Sequence, residues 1–496
     1  MNNPLRIAKR RGLNFAGLFF LASIFFSGVL SVYAQASSGA PEPSVLRLSP
    51  ETAVDMAIKN NLMLEMAKIG TDIKERKSRL VWNEFLPNLA LTGTLSRSNY
   101  AASAGGLSAI PNTGTYVTMN GIKGWVNPNI LSVAPFDLPR WNVLGNFSAD
   151  LTFSFALIEG IKSIKQDYQA GLVGLSMAKL KTEQGIRKMY NSILLLEANF
   201  ALLKESFENA KRQASMAEAN FRAGLAPRLV WLQAQVAAEN IKPAMNDLEN
   251  TLKNLKGSFA LLLGLSYDAS FELEEVQLGA IFVPPDVEEF ISRSASGKPD
   301  IHELQANLVT MHTQRKALRL QAYTPFLRFG WTLSTMFNPM LDPFNDNLFT
   351  RDNWNGGGNF SVTLGWSISS LFSFTKEGQQ RKDLDAGIQV QNIALAQMIR
   401  ETELEIFTKL NSLENIRASK EAQQATVDLA EQSYRLTEEA YRAGLQDFQS
   451  VQNAALAFDQ AKLQLLTQQF NYLNDLIDLE YSIGVPFGTL SSSGTK

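Results

Sequence analysis

The sequence predicts a mostly helical, internally duplicated chain that contributes four β-strands to a membrane barrel. Three observations predict this. The pentapeptide FRAGL (221–225) returns as YRAGL (441–445), 220 residues later. Apolar residues recur at alternating spacings of three and four along very long segments. Four stretches of about ten residues alternate apolar side chains with Ser, Thr and Gly, as outer-membrane barrel strands do.

The duplication dictates the rest of the architecture. Aligning Gly224 with Gly444 also aligns Ala234 with Ala454, Asn254 with Asn474 and Gly264 with Gly484. Upstream the match continues with a drifting offset. FLPNLALTG (85–93) answers YTPFLRFGW (323–331), and NFSADLTFS (146–154) answers NFSVTLGWS (359–367). Each half therefore runs helix, strand, long loop, strand, very long helix, RAGL corner, helix. The expected organisation is a signal peptide (1–34), a first repeat (35–265), a linker (266–298), a second repeat (299–487) and a tail (488–496). The first repeat holds strands at 88–98 and 145–157 and helices at 158–223 and 228–264. The second holds strands at 326–337 and 359–371 and helices at 378–443 and 445–481.

The leader has Arg6, Lys9, Arg10 and Arg11 before an apolar run at 12–30, with Val32 and Ala34 at the small-residue positions of a cleavage site before Gln35. An uncleaved anchor is the other reading. Removing its four positive charges takes the formal net charge from −2 to −6. The chain has no cysteine, so packing and not disulfides must hold it. After residue 34 no uncharged apolar run reaches the ~18 residues of a spanning helix. The segment 257–270 is the nearest. The mature chain is therefore soluble or crosses a membrane as β-structure.

The helices carry coiled-coil seams. Ile186, Met189, Ile193, Leu196, Phe200, Leu203, Phe207, Ala210, Ala214, Ala217 and Phe221 keep an unbroken a/d rhythm. Leu456, Leu463, Leu466, Phe470, Leu473 and Ile477 do so in the second half, with Asp459 spoiling one position. Pro243 should kink its helix. The roughly 64 residues from Gly160 to Gly224 make ~96 Å of helix, and the shorter helices at 62–86 and 228–264 add up to ~93 Å. Two shorter helices can thus lie antiparallel along each long one. Each RAGL glycine is then the corner where the chain reverses.

In the strands, Phe153, Phe155, Phe329, Trp331, Leu364 and Trp366 fall on apolar faces and read as lipid-facing. Asp150 and Arg328 fall on the opposite faces and read as lumen-facing, because charge toward lipid is penalised. The loops at 101–142 and 338–358 are long and rich in Asn, Gly, Pro and Ser. Four strands cannot close a barrel, and an open edge is forbidden in lipid. Two copies give eight strands and three give twelve. Eight leave an interior filled by side chains, so a channel requires at least twelve.

No chemistry competes with this reading. The 46 basic and 48 acidic side chains leave no basic footprint for nucleic acid. His302 and His312 are ten residues apart, which does not pair them on a helix face, and neither has a cysteine to help it hold a metal. The GGG at 356–358 lacks the Lys-Ser/Thr and the helix of a phosphate loop. Carboxylates are spread along helices in a solvated pattern. No nucleophile–base constellation, catalytic residue or cofactor site is found, so the chain is expected not to be an enzyme.

With the opening LRLSPETAVDMAIKNNLMLE (46–65), the helix-to-strand passage LPNLALTG, both RAGL corners and the endings LLLGL and YSIGV, residues 47–487 resemble the TolC-like outer-membrane efflux proteins. The resemblance implies a homotrimer with a 12-stranded barrel in the bacterial outer membrane, continued by a helical tunnel through the periplasm. It implies a passive exit duct of a tripartite efflux or type I secretion system, fed by an inner-membrane pump and a periplasmic adaptor, with no cofactor. Phe221, Arg222, Gly224, Leu225, Tyr441, Arg442, Gly444 and Leu445 would form the two hairpin tips that meet the adaptor. Family members ring the periplasmic aperture with acidic residues after the second corner. Here that stretch offers Asp447, then Ser450 and Asn453. Many relatives are also lipoproteins, and the cysteine for that anchor is missing. The rival is a cell-surface structural or adhesive coiled-coil protein whose strands form a soluble sheet. The cargo, whether drug, metal ion, lipid or protein, is not written in the residues.

Overall fold

The computed structural model of the chain describes residues 46–97, 115–119, 122–126, 141–276, 287–337 and 354–492. The expected signal peptide, most of the loops at 101–142 and 338–358, residues 277–286 of the linker and residues 493–496 of the tail lie outside the described residues.

The elements run β1 (Leu46–Leu48), α1 (Pro50–Asn60), α2 (Leu62–Arg79), β2 (Asn88–Arg97), β3 (Thr115–Met119), β4 (Ile122–Val126), β5 (Trp141–Ser154), α3 (Phe155–Arg222) and α4 (Arg228–Leu262). There follow β6 (Phe271–Leu273), α5 (Val287–Ser294), α6 (Pro299–Tyr323), β7 (Phe326–Phe337), β8 (Trp354–Gly365), α7 (Lys376–Arg442), α8 (Phe448–Ile483) and α9 (Thr489–Ser492). Leu46–Arg47 and Ser270–Glu272 form a small unit, in which Arg47 Nε lies 3.6 Å from a Glu272 carboxylate oxygen. The remaining described residues form the main unit.

One sheet of the main unit has the order β2-β5-β7-β8 and is antiparallel throughout. β3 and β4 pair as a separate hairpin within the stretch read from sequence as a loop. The register sorts side chains by parity, as period-two geometry requires. Leu89, Ala149, Trp331 and Phe360 line up across the sheet on one face, and Leu91, Phe147 and Leu333 share it. Ser148, Thr332 and Asn359 line up on the other face.

Two strand ends differ from expectation. The strand expected to reach 157 ends at Ser154, and Phe155 is the first residue of α3. The strand expected at 359–371 is Trp354–Gly365, so Trp366 lies past its end and a short 3₁₀ turn occupies Ile368–Leu371. The helix read at 62–86 is α2 followed by a 3₁₀ turn at Val81–Phe85. α4 continues as one helix through Pro243.

α3 has 68 residues and α7 has 67, about 100 Å of helix each. α3 packs on α2 and α4 of its own repeat and on α6 and α8 of the other. α7 packs on α6 and α8. Because α3 has neighbours from both repeats, its apolar residues serve more than one seam.

The shorter helices meet end to end. Asn61 Oδ1 accepts the first-turn amides of Met63 and Leu64 (2.9 and 3.2 Å), while Asn61 Nδ2 donates to the Leu262 carbonyl at 3.0 Å. One side chain thereby satisfies orphan groups at the start of α2 and at the end of α4. The second repeat makes its own junction. Gly484 packs so closely on the Gly297 carbonyl that a Cβ would clash with it, and Tyr481 Oη donates to Asp300 Oδ2 at 2.7 Å. A core cluster lies beside this junction, where Ile406, Leu410 and Leu413 of α7 pack on Tyr472, Leu476 and Leu479 of α8.

Candidate functional site

The two RAGL corners have the same backbone. Gly224 has φ +73° and Gly444 φ +74°, the left-handed region that glycine reaches without a Cβ penalty. Leu225 N donates to Asn220 O and Gly224 N to Phe221 O (2.8 and 3.0 Å). Leu445 N and Gly444 N repeat these bonds to Ala440 O and Tyr441 O at the same distances. Both corners are thus Schellman caps. Arg222 pairs with Glu218 and Arg442 with Glu438, each one turn back along its helix (2.5 and 2.9 Å). Leu225 and Leu445 are each 79% exposed.

Beyond the corners the tips differ. The Phe221 ring stacks on Trp231 of α4 at 5.6 Å, within its own hairpin. In the second hairpin Tyr441 meets Phe448 edge-on at 6.1 Å. Phe448 is buried against Ala217 of α3 and Ala234 of α4, so the second tip is anchored in the first.

Asp447 is the N-cap of α8, and its carboxylate accepts from Ser450 N at 2.8 Å. Hydrogen bonding from the Ser450 side chain, and then from its amide, holds the Asp447 pKa below the usual carboxylate value. Ser450 thus enters this tip as a partner of Asp447, and Asn453 Oδ1 accepts from Gln449 Nε2 at 3.2 Å. The aperture role read for Asp447, Ser450 and Asn453 is a separate matter from this cap.

In the sheet, Arg328 Nη2 donates to Asp150 Oδ1 at 3.0 Å, on the polar face. Phe153, Phe329, Trp331 and Leu364 share the apolar face. Phe155 and Trp366 do not belong to it. Phe155 is exposed at the start of α3, and Trp366 Nε1 donates to the Ala322 carbonyl of α6 at 3.0 Å. The alternating pattern runs on past both strand ends, which is why periodicity alone misplaced them. Phe153 and Leu364 pair through Leu327, one residue from the helical end of the sheet, not near its middle.

A family model described as outer membrane efflux protein matches residues 53–265 and 294–485. The chain belongs to the outer membrane efflux protein family. Solved structures agree at the level of fold. A structure of CusC is 18% identical with a TM-score of 0.66, covering 92% of this chain and 97% of that one. The outer membrane protein VceC of Vibrio cholerae is 17% identical with a TM-score of 0.65, over 88% of this chain and 96% of that one. The CmeC outer membrane channel of Campylobacter jejuni is 17% identical with a TM-score of 0.66, over 88% and 85%. The comparison with curated proteins found no match. The family is one of bacterial outer-membrane channels with a helical periplasmic tunnel, not of enzymes.

Within this efflux-family fold, a polar belt near the α7–α8 core went unread in the sequence. Lys188 of α3 and Lys409 of α7 both donate to Asp478 of α8, at 2.8 and 2.7 Å. Lys409 also reaches Asp475 at 2.7 Å. Burial pushes Asp478 up, but the two lysines outweigh it and hold its carboxyl below the usual range. Nearby, Tyr190 Oη lies 2.8 and 2.7 Å from the Leu48 and Glu274 carbonyls, and burial pushes its pKa to about 12. These partners lie 66 to 290 residues apart in sequence, so no local pattern announces them. The Asp447 cap was missed because the helix was read from 445, whereas α8 starts at Phe448; an Asp ahead of an apolar periodic run is the signal that finds it. Among the described residues no cluster of His, Cys, Asp and Glu is arranged to hold a metal, and no helix is long and apolar enough to cross a membrane. His302 and His312 are both exposed on α6.

Proposed function

We propose that three copies of this chain form a passive export duct, the outer-membrane end of a tripartite efflux or type I secretion system. One observation carries the reading. The sheet β2-β5-β7-β8 has an apolar face, a polar face and, among the described residues, two unpaired edges. Strand directions alternate across it, so β8 of one copy meets β2 of the next antiparallel and the ring closes without a mismatch. Three copies give twelve strands, wide enough for a water-filled lumen lined by Asp150 and Arg328.

The helices support the same closure. Leu62, Met66, Ile69 and Ile73 make an exposed apolar stripe on α2, and Val390, Ile393, Leu404 and Phe407 make one on α7. These helices follow the same chain order as the two edge strands. Stripe on stripe between neighbouring copies continues the tunnel wall. The periplasmic adaptor meets the exposed tips at Leu225 and Leu445. Its docking untwists the tip helices and opens the path. The cell-surface adhesin reading gives no role to a sheet with one largely apolar face, interrupted only at the register positions of Thr335 and Arg97 toward the end far from the helices.

The test places charge by parity at mid-sheet. Leu333→Arg puts a charge in lipid at a cost of roughly 2–4 kcal/mol near the midplane, whereas Thr332→Arg faces the lumen. Outer-membrane fractionation and heat-modifiable gel mobility should be lost in the first variant and kept in the second. Equal tolerance at both positions, or a wild-type protein washed off membranes by salt, would defeat the barrel.

A further inference from the structure

Where the sheet gives way to helices, the chain exposes aromatic side chains at all four crossings. Trp82 and Phe85 precede β2, Phe155 follows β5, Tyr323 precedes β7, and Trp366 and Phe374 follow β8. Aromatic rings in such a girdle sit at the level of lipid headgroups. Directly beneath it, α6 and α7 enclose a cavity of about 440 Å³.

The cavity is strongly basic. Arg315, Arg319, Arg381 and Lys382 line it, against one acid, Asp385. Asp385 is engaged by Arg315 in an ion pair. Arg381 donates one Nη to the Ser370 carbonyl at 2.6 Å and lies over the Tyr323 ring at 5.4 Å. Its Nε is buried with no hydrogen-bond partner among the described residues. Arg319 and Lys382 are exposed and have no described ion-pair partner. Helix rise puts Arg319 about 6 Å from Tyr323 along α6. That distance matches the headgroup layer, about 5–8 Å deep on each side of the hydrocarbon.

We propose that this cavity binds the phosphodiester of an anionic phospholipid in the inner leaflet of the outer membrane. Arginine forks match phosphate oxygens, and basic pockets at a membrane face recognise lipid headgroups in this way. The acyl chains would run up past Tyr323 and Trp366 along the apolar face of the sheet. The bound lipid would fix the height of the duct and brace the α6–α7 pair. The inference rests on the barrel reading above.

The test uses the full-length protein in detergent and native mass spectrometry with dioctanoyl phosphatidylglycerol as probe. Arg319→Gln with Lys382→Gln removes the two lining cations that have no ion-pair partner among the described residues. Losing two charge-assisted bonds should weaken retention of the lipid about tenfold or more. Arg319→Lys should restore part of it. Inorganic phosphate at low millimolar concentration should fail to displace the lipid. Equal retention in the double variant overturns the site, and displacement by phosphate overturns its assignment to lipid. Heat-modifiable mobility of the double variant separates the two readings. If mobility is intact and retention unchanged, the pocket alone has failed. If wild type itself lacks the mobility shift, the barrel has failed and the pocket with it.

Discussion

The two hairpin tips share a corner and differ in their anchorage. Gly224 and Gly444 adopt the same φ, close the same Schellman bonds and carry the same Arg–Glu pair. Yet the first hairpin stacks Phe221 on its own Trp231, while the second buries Phe448 in its neighbour. Position by position, Pro227 starts α4 where Asp447 starts α8. Backbone geometry is thus a property of the repeat, and coupling is a property of side chains that diverged after duplication. A duct that opens at its tips needs this asymmetry, because one hairpin has to move against the other.

The largest effect is expected at the cross-hairpin anchor. Phe448→Ala removes a buried ring, a change that costs about 3–5 kcal/mol in a packed core. Amide hydrogen exchange should rise in both hairpins, at 214–234 and at 441–451. Trp231→Ala, on a half-buried ring, should speed exchange in the first hairpin alone. If Phe448→Ala loosens only its own hairpin, the tips are not coupled through this side chain.

The corners should respond less, and equally. A Cβ added at Gly224 or Gly444 meets no atom within 4 Å, so the cost of Gly224→Val or Gly444→Val is mainly that of a left-handed φ, about 1–2 kcal/mol. Barrel assembly should survive, while export of a model substrate falls. Normal export by both variants would remove the corners from docking. A marked difference between them would mean that the asymmetry extends to the backbone.

Local patterns in the sequence carried the corners and the sheet faces. RAGL at helix ends announced a left-handed glycine, and the parity of Phe329, Trp331, Asp150 and Arg328 placed them on opposite faces. The strand ends at Ser154 and Gly365 were hidden because Phe155 and Trp366 continue the alternation into the aromatic girdle. Nothing local marked Phe448, since its partners Ala217 and Ala234 lie more than 200 residues away. Lys188, Lys409 and Asp478 were equally unreadable, because a solvated coiled-coil face and a buried ionic belt use the same letters. Asn61 hid its second role for the same reason, as its amide reaches Leu262 only when the helices stack.

The smallest effect is expected at Asp447, where two roles share one carboxylate. As an N-cap it accepts from Ser450 N, and hydrogen bonding from the Ser450 side chain and then from this amide lowers its pKa. The sign follows: the cap's contribution is full above the ordinary carboxylate pKa and fades as pH falls through the lowered value. In a trimer the same group would also recur three times near the axis. Three carboxylates about 8 Å apart repel by roughly 0.5–2 kcal/mol per pair, too little and of the wrong sign to hold a pore shut. They would still favour cations at the entrance. Asp447→Ser separates the roles, because serine caps a helix about as well as aspartate but carries no charge. Hydrogen exchange at the start of α8 should stay unchanged in this variant and rise in Asp447→Ala. Cation selectivity in bilayer recordings should fall in both variants, with closed-state conductance barely altered. Selectivity unchanged in Asp447→Ser would leave the residue as a cap and nothing more. The two tips would then differ in anchorage but not in charge at the pore.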